Sequence, residues 1–176
     1  MKRLLLSALL ASAFALPAYA TMKVGDTAPD FTLQASEAGK QFTFSLGDSL
    51  KKGPVVVYFY PKAFTKGCSI EAHEFAAAID QYHSYGATVI GVSHDDIATL
   101  DKFSISDCQS KFPVAADTDG KVMNAWDTEI PLMGIANRTS YVVAPDGKII
   151  YTFTDMSPDH HVENTLQAVK LWRVSR

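Results

Sequence analysis

The chain has 176 residues, 16 Lys+Arg against 19 Asp+Glu, a formal net charge of −3 and 47% hydrophobic residues. That length suits one domain with a sizeable core, and the acidic balance argues against nucleic acid as a partner. Two cysteines and five histidines (His73, His83, His94, His160, His161) have no spacing that couples them as a ligand set, so neither a metal nor another cofactor is expected.

In chain order, residues 1–20 come first. Lys2-Arg3, the apolar run Leu4–Leu16 and the small-x-small Ala18-Tyr19-Ala20 have the form of a secretory signal peptide cut after Ala20. The run of 13 residues falls short of the roughly 20 that span a bilayer. The expected mature chain, residues 21–176, is one exported, periplasmic domain with no membrane contact. Its formal charge is −5, because Lys2 and Arg3 leave with the leader.

Short extended segments are expected over Val24–Leu33. Gly53-Pro54 then opens Val55–Tyr60, a β-branched and aromatic run closed by Pro61, which reads as a central strand with a forced exit. Thr65 is a candidate N-cap, which sets Cys68 at the third helical position. Unpaired N–H groups and the positive end of the helix dipole favour an anion there, so Cys68 is a candidate nucleophile. The rival local reading is a small buried hydrophobe.

Ala72, Phe75, Ile79 and Tyr82 step by three or four and predict a helix to about Tyr85, ended by Gly86. Thr88–Ser93 reads as a buried strand. Asp95 or Asp96 can cap a helix carrying Ile97, Leu100 and Phe103, and Pro113–Ala116 is a short strand. Ser140–Ala144, the turn Pro145-Asp146-Gly147 and Lys148–Phe153 predict a hairpin. A last helix is expected from Ser157-Pro158, with Pro at the first position, burying Val162, Leu166 and Val169. This alternation predicts an α/β domain of thioredoxin-like fold: a central mixed sheet flanked by helices, with extra N-terminal strands.

The run Pro61-x-x-x-Thr65-x-x-Cys68-x-x-Glu71 after Val-Val-Val-Tyr-Phe-Tyr resembles the peroxidatic-cysteine signature of the peroxiredoxins. Gly25-Asp-Thr-Ala-Pro-Asp-Phe31 and Asn137-Arg138-Thr-Ser-Tyr-Val-Val-Ala-Pro-Asp-Gly147 are similar to other recurrent segments of that family, in its bacterioferritin comigratory or peroxiredoxin Q group. The resemblance implies a thiol peroxidase acting on hydrogen peroxide and organic hydroperoxides, with a thioredoxin-like dithiol as reductant and a monomer or weak dimer as its state. It implies Cys68 as nucleophile, Thr65 as hydroxyl donor to the thiolate and a peroxide oxygen, and Pro61 as a shield against water. It further implies that Arg138 lowers the thiol pKa and polarises the O–O bond, and that Glu71 orients Arg138. For each a bland role stands beside the implied one: Pro61 as strand terminator, Thr65 as plain cap, Arg138 as solvated strand-edge charge, Glu71 as the acid a helix start selects.

One common pattern of that group carries a resolving cysteine five residues after the peroxidatic one, where this chain has His73. Another subset resolves from the following helix, where Cys108 stands 40 residues on. In an oxidising compartment the usual prior for two cysteines is a structural disulfide. A non-catalytic binding domain with a structural Cys68–Cys108 bond therefore stays open, as does a disulfide exchange protein, although the latter needs Cys-x-x-Cys and this chain has Glu71 in the fourth place.

Overall fold

The computed structural model describes residues 21–176, and the signal-peptide reading of residues 1–20 lies outside the described residues. A β-ribbon of β1 (Thr32–Glu37) and β2 (Lys40–Ser45) leads through the short α1 (Leu46–Leu50) into β3 (Val55–Phe59). Two crossovers follow: α2 (Lys66–Ser84) to β4 (Thr88–Ser93), then α3 (Ile97–Ser106) to β5 (Val114–Ala116). After α4 (Lys121–Ala125) and a ribbon of β6 (Glu129–Ile130) and β7 (Ile135–Ala136), the hairpin β8 (Thr139–Val143) and β9 (Ile149–Thr154) precedes α5 (His161–Val174).

Seven strands form one sheet in the order β2-β1-β5-β4-β3-β8-β9. β3, β4 and β5 run parallel, and antiparallel pairs flank them on both sides. The Val-rich β3 and β8 are buried at every residue, as strands covered on both faces must be. Alternation along β3 divides the interior. Val55, Val57 and Phe59 join Leu46, Leu50 and Trp126 on one face, whereas Val56, Tyr58 and Tyr60 join Phe75, Leu100, Phe103 and Val169 on the other. The long helices α2, α3 and α5 therefore cover the second face, and α1 and α4 the first. At the end of α2, Gly86 takes φ +75° and the Ala87 N–H donates to the Tyr82 carbonyl at 2.9 Å, the left-handed stop expected of a glycine there.

Several parts differ from the sequence reading. The extended segments expected over Val24–Leu33 become strand only from Thr32, because the residues before it are held to the β8–β9 hairpin by single bonds, Gly25 N–H to the Ile149 carbonyl and Ala28 N–H to the Gly147 carbonyl. The sequence does not predict the five-residue helices α1 and α4, since each is too short to leave a helical period. Helix α5 begins at His161, not at Ser157-Pro158, because local bonds close the preceding turn: the Ser157 N–H donates to Asp155 Oδ1 at 2.8 Å and its hydroxyl to Asp159 Oδ2 at 2.9 Å. Its buried residues are His161, Thr165 and Val169, with Val162 and Leu166 only partly buried. The two-residue strands β6 and β7 are too short to leave a period in the sequence. Among the described residues, no helix is long and apolar enough to cross a membrane.

Tyr58 and Gly91 are direct neighbours in the β3–β4 register, and Tyr58 stacks on Phe75 at 4.4 Å. A Cβ at Gly91 would lie 2.7 Å from Tyr58 Cζ. Gly91→Ala should therefore overpack this core and cost about 1–3 kcal/mol, read from the denaturant midpoint; an unchanged midpoint contradicts this packing.

Candidate active site

Helix α2 starts just past the C-terminal end of β3, where crossover folds form their crevices. The connection is short: Pro61 is half-buried, the Ala63 N–H donates to Asp95 Oδ2 at 2.7 Å, and Phe64 adopts φ +63°. Thr65 occupies the N-cap with extended backbone, which makes Cys68 the third helical residue as the spacing predicts. Its side chain departs from the expectation. The exposed Thr65 hydroxyl donates to the Lys62 carbonyl at 2.9 Å, an open acceptor in the same turn, and bonds neither the helix N–H groups nor Cys68.

Cys68 is 1% exposed. Arg138 directly precedes β8, and pairing of Thr139 with Phe59 brings it to the same end of the sheet. Its Nη2 lies 3.5 Å from Cys68 Sγ, Nη1 donates to Glu71 Oε2, and Nε donates to the Met156 carbonyl at 3.1 Å. Gly67 makes this approach possible, because a Cβ there would stand 3.0 Å from Nη2. The guanidinium is 4% exposed, so the reading of Arg138 as a solvated edge charge does not hold.

Glu71 sits in the second turn of α2 and is fully buried, so the helix dipole is not what selects it. Burial pushes its carboxyl up to about 8, against the pull of the Arg138 guanidinium. Arg138 is itself held above its ordinary value: burial works against the charge, and the Glu71 carboxyl and Cys68 sulfur outweigh it. Among the described residues, Glu71 Oε1 has no hydrogen-bond partner, and it lies 3.7 Å from Nδ1 of the buried His161. Sequence reasoning missed His161, since nothing in its spacing points to Cys68. It also read Asp95 only as a possible cap; Asp96 is the cap, and Asp95 instead ties down Ala63.

Cys108 follows α3, fully buried, and burial pushes its thiol well up. Both cysteines are free thiols. Burial pushes the phenols of Tyr58 and Tyr60 well up, and the two cysteines add to the effect. His73 is exposed on α2. Among the described residues, no three His, Cys, Asp or Glu side chains group as metal ligands. A cleft of about 620 Å³ opens between Pro61–Phe64 and the Asp95–Asp96 turn, beside the sulfur's loop. A larger cavity, about 740 Å³ between β9 and α5, contains none of these groups.

The geometry can hold a sulfur anion in the first turn of α2 beside a guanidinium, and among the described residues no histidine or carboxylate is bonded to the sulfur. The Glu71 carboxyl also fixes a pH dependence. In the unfolded chain it titrates near 4.3, so between about pH 4.3 and about pH 8 the unfolded state holds fewer protons and stability falls as pH rises. Glu71→Gln cannot ionise, so its stability relative to wild type should improve from about pH 5 to about pH 8; a pH-independent difference in denaturant midpoints contradicts this.

A family model described as the AhpC/TSA family matches residues 24–152. A peroxiredoxin bcp of Helicobacter pylori is 33% identical over 155 residues, covering 84% of this chain and 98% of its own length. Chloroplastic peroxiredoxin Q of Oryza sativa subsp. japonica is 32% identical over 148 residues, covering 83% of this chain, which spans 66% of that relative's length. The crystal structure of peroxidoxin BcpB from Mycobacterium tuberculosis aligns with a TM-score of 0.77 at 29% identity, covering 85% and 97% of the two chains. The fold is thus the thioredoxin-like one of these neighbours, and the chain belongs to the AhpC/TSA family, among the peroxiredoxins of the Q and bcp type.

Proposed function

We propose that this chain is an exported thiol peroxidase that reduces hydrogen peroxide and organic hydroperoxides with the Cys68 thiolate. The observation that carries the reading is the buried sulfur at the third position of α2 with the Arg138 guanidinium 3.5 Å away. In the first step the sulfur attacks one peroxide oxygen and the O–O bond breaks. The transferred oxygen stays on sulfur as sulfenic acid, and the departing alkoxide or hydroxide takes a proton from water. Helix N–H groups and the guanidinium favour the anion before attack and the charge that grows on the leaving oxygen. Pro61 shields the site from water, and rotation of the Thr65 hydroxyl away from Lys62 would supply a further donor.

In the second step the Cys108 thiol condenses with the Cys68 sulfenic acid, forming the disulfide and releasing water; a thioredoxin-like dithiol then returns both thiols and is itself oxidised. Both sulfurs are buried, so Pro61–Cys68 unwinds locally in each cycle. Left-handed backbone at Phe64, and at Gln109 and Ser110 beside Cys108, supports rearrangement of both segments. The leader-like residues 1–20 support cleavage after Ala20, leaving residues 21–176 as a single periplasmic domain, monomeric or weakly dimeric. The free thiols and the Glu71–Arg138 pair favour this reading over a structural disulfide or a disulfide exchanger.

Cys68→Ser should abolish peroxide consumption while the protein remains folded; more than a few per cent of residual activity would sink the assignment. Cys108→Ser should react once, then accumulate sulfinic acid at Cys68 and lose turnover with a dithiol reductant. Peptide mapping of peroxide-treated wild type decides the resolving role: a Cys68–Cys108 bond supports it, and Cys68 oxidised with Cys108 still free contradicts it.

A further inference from the structure

We infer that His161 is a positioning residue for the peroxide step, holding Arg138 against Cys68 through the two groups that support the guanidinium. The inference rests on the reading of Cys68 and Arg138 given above. His161 is fully buried as the first residue of α5, directly after the left-handed His160, and packs edge-on against Phe153 at 4.8 Å.

Each edge of the ring has a defined task. Nε2 lies 3.0 Å from the Asp155 carbonyl, which can only accept, so Nε2 carries the hydrogen. In the neutral ring Nδ1 is then an acceptor, and the Ser140 hydroxyl, 2.8 Å away, donates to it. Burial holds the imidazole below its ordinary pKa, consistent with that neutral tautomer. Ser140 lies in β8, two residues beyond Arg138, and the two side chains reach α5 and α2 on the same side of the sheet.

Both contacts lead to Arg138. The Nδ1 edge faces Glu71 Oε1 at 3.7 Å, the oxygen without a hydrogen-bond partner among the described residues, while Oε2 of the same carboxyl pairs with Nη1 of Arg138. At the other edge, Asp155 precedes Met156, whose carbonyl takes the Arg138 Nε–H, and the Asp155 N–H donates to the Arg138 carbonyl at 3.2 Å. One imidazole thus fixes the turn that holds one side of the guanidinium and borders the carboxyl that holds the other. An apolar ring of the same size would fill the volume but leave Ser140 and the Asp155 carbonyl without these partners.

A double-mutant cycle separates positioning from simple structural support. The readout is the second-order rate constant of reduced protein with hydrogen peroxide in a single turnover. His161→Ala should slow this step about tenfold when Arg138 is present and less than about twofold in an Arg138→Ala background, because a residue acting through Arg138 has nothing left to position there. Equal losses in both backgrounds, or no loss in either, overturn the inference. If Arg138→Ala alone reacts as fast as wild type, the Arg138 assignment fails and this inference with it, an outcome distinct from equal losses. Should His161→Ala not fold, Ser140→Ala decides: it frees Nδ1, and the expected loss of about threefold must again vanish without Arg138.

Discussion

Burying a guanidinium costs several kcal/mol unless every face of it is paired, and Arg138 is almost wholly buried. Its partners come from separate parts of the chain: Cys68 and Glu71 from one helix, and the Met156 carbonyl from the turn before α5. Arg138 itself is set by the antiparallel pairing of β8 with β3. The start of α2, the edge of β8 and the Asp155–His160 turn must therefore be in place together for the charge to be tolerated. The bare Cα of Gly67, where a side chain would press on Nη2, is part of the same constraint.

That arrangement favours the first half of the proposed cycle and opposes the second. The guanidinium beside the buried sulfur also holds the helix start closed over it, while the proposed condensation with Cys108 would need the sulfur to leave. Among the described residues, few side-chain bonds hold the loop ahead of α2. It is tied by Ala63 to Asp95 and by Thr65 to Lys62, and Lys62, Phe64, Thr65 and Lys66 are all exposed. A locally weak loop beside a strongly held guanidinium would let the sulfur move while the cation stays fixed.

How much was legible in the sequence follows from which interactions are local. The buried run Val55–Tyr60, the cap at Thr65 and the glycine stop at Gly86 are short-range signals, and they placed Cys68 at the third helical position correctly. The resemblance supplied Arg138 and Glu71, since nothing local ties a residue before β8 to a residue in α2. The direction of the Thr65 hydroxyl was not legible, because it depends on which acceptor the turn leaves open. The start of α5 was missed because side-chain bonds within Asp155–Asp159 compete with the proline signal at Pro158. His161 was invisible for a different reason: its partners, Ser140, Asp155 and Glu71, meet only when sheet, turn and helix have packed.

The central claim is that Arg138 acts by the geometry of its fork, and not by charge alone. Arg138→Lys tests it most directly, because lysine keeps the cation but cannot reach Cys68, Glu71 and the Met156 carbonyl together. The account predicts a single-turnover rate with hydrogen peroxide at least about tenfold below wild type for the folded variant. A rate within about twofold of wild type would show that charge alone suffices, and would contradict the account.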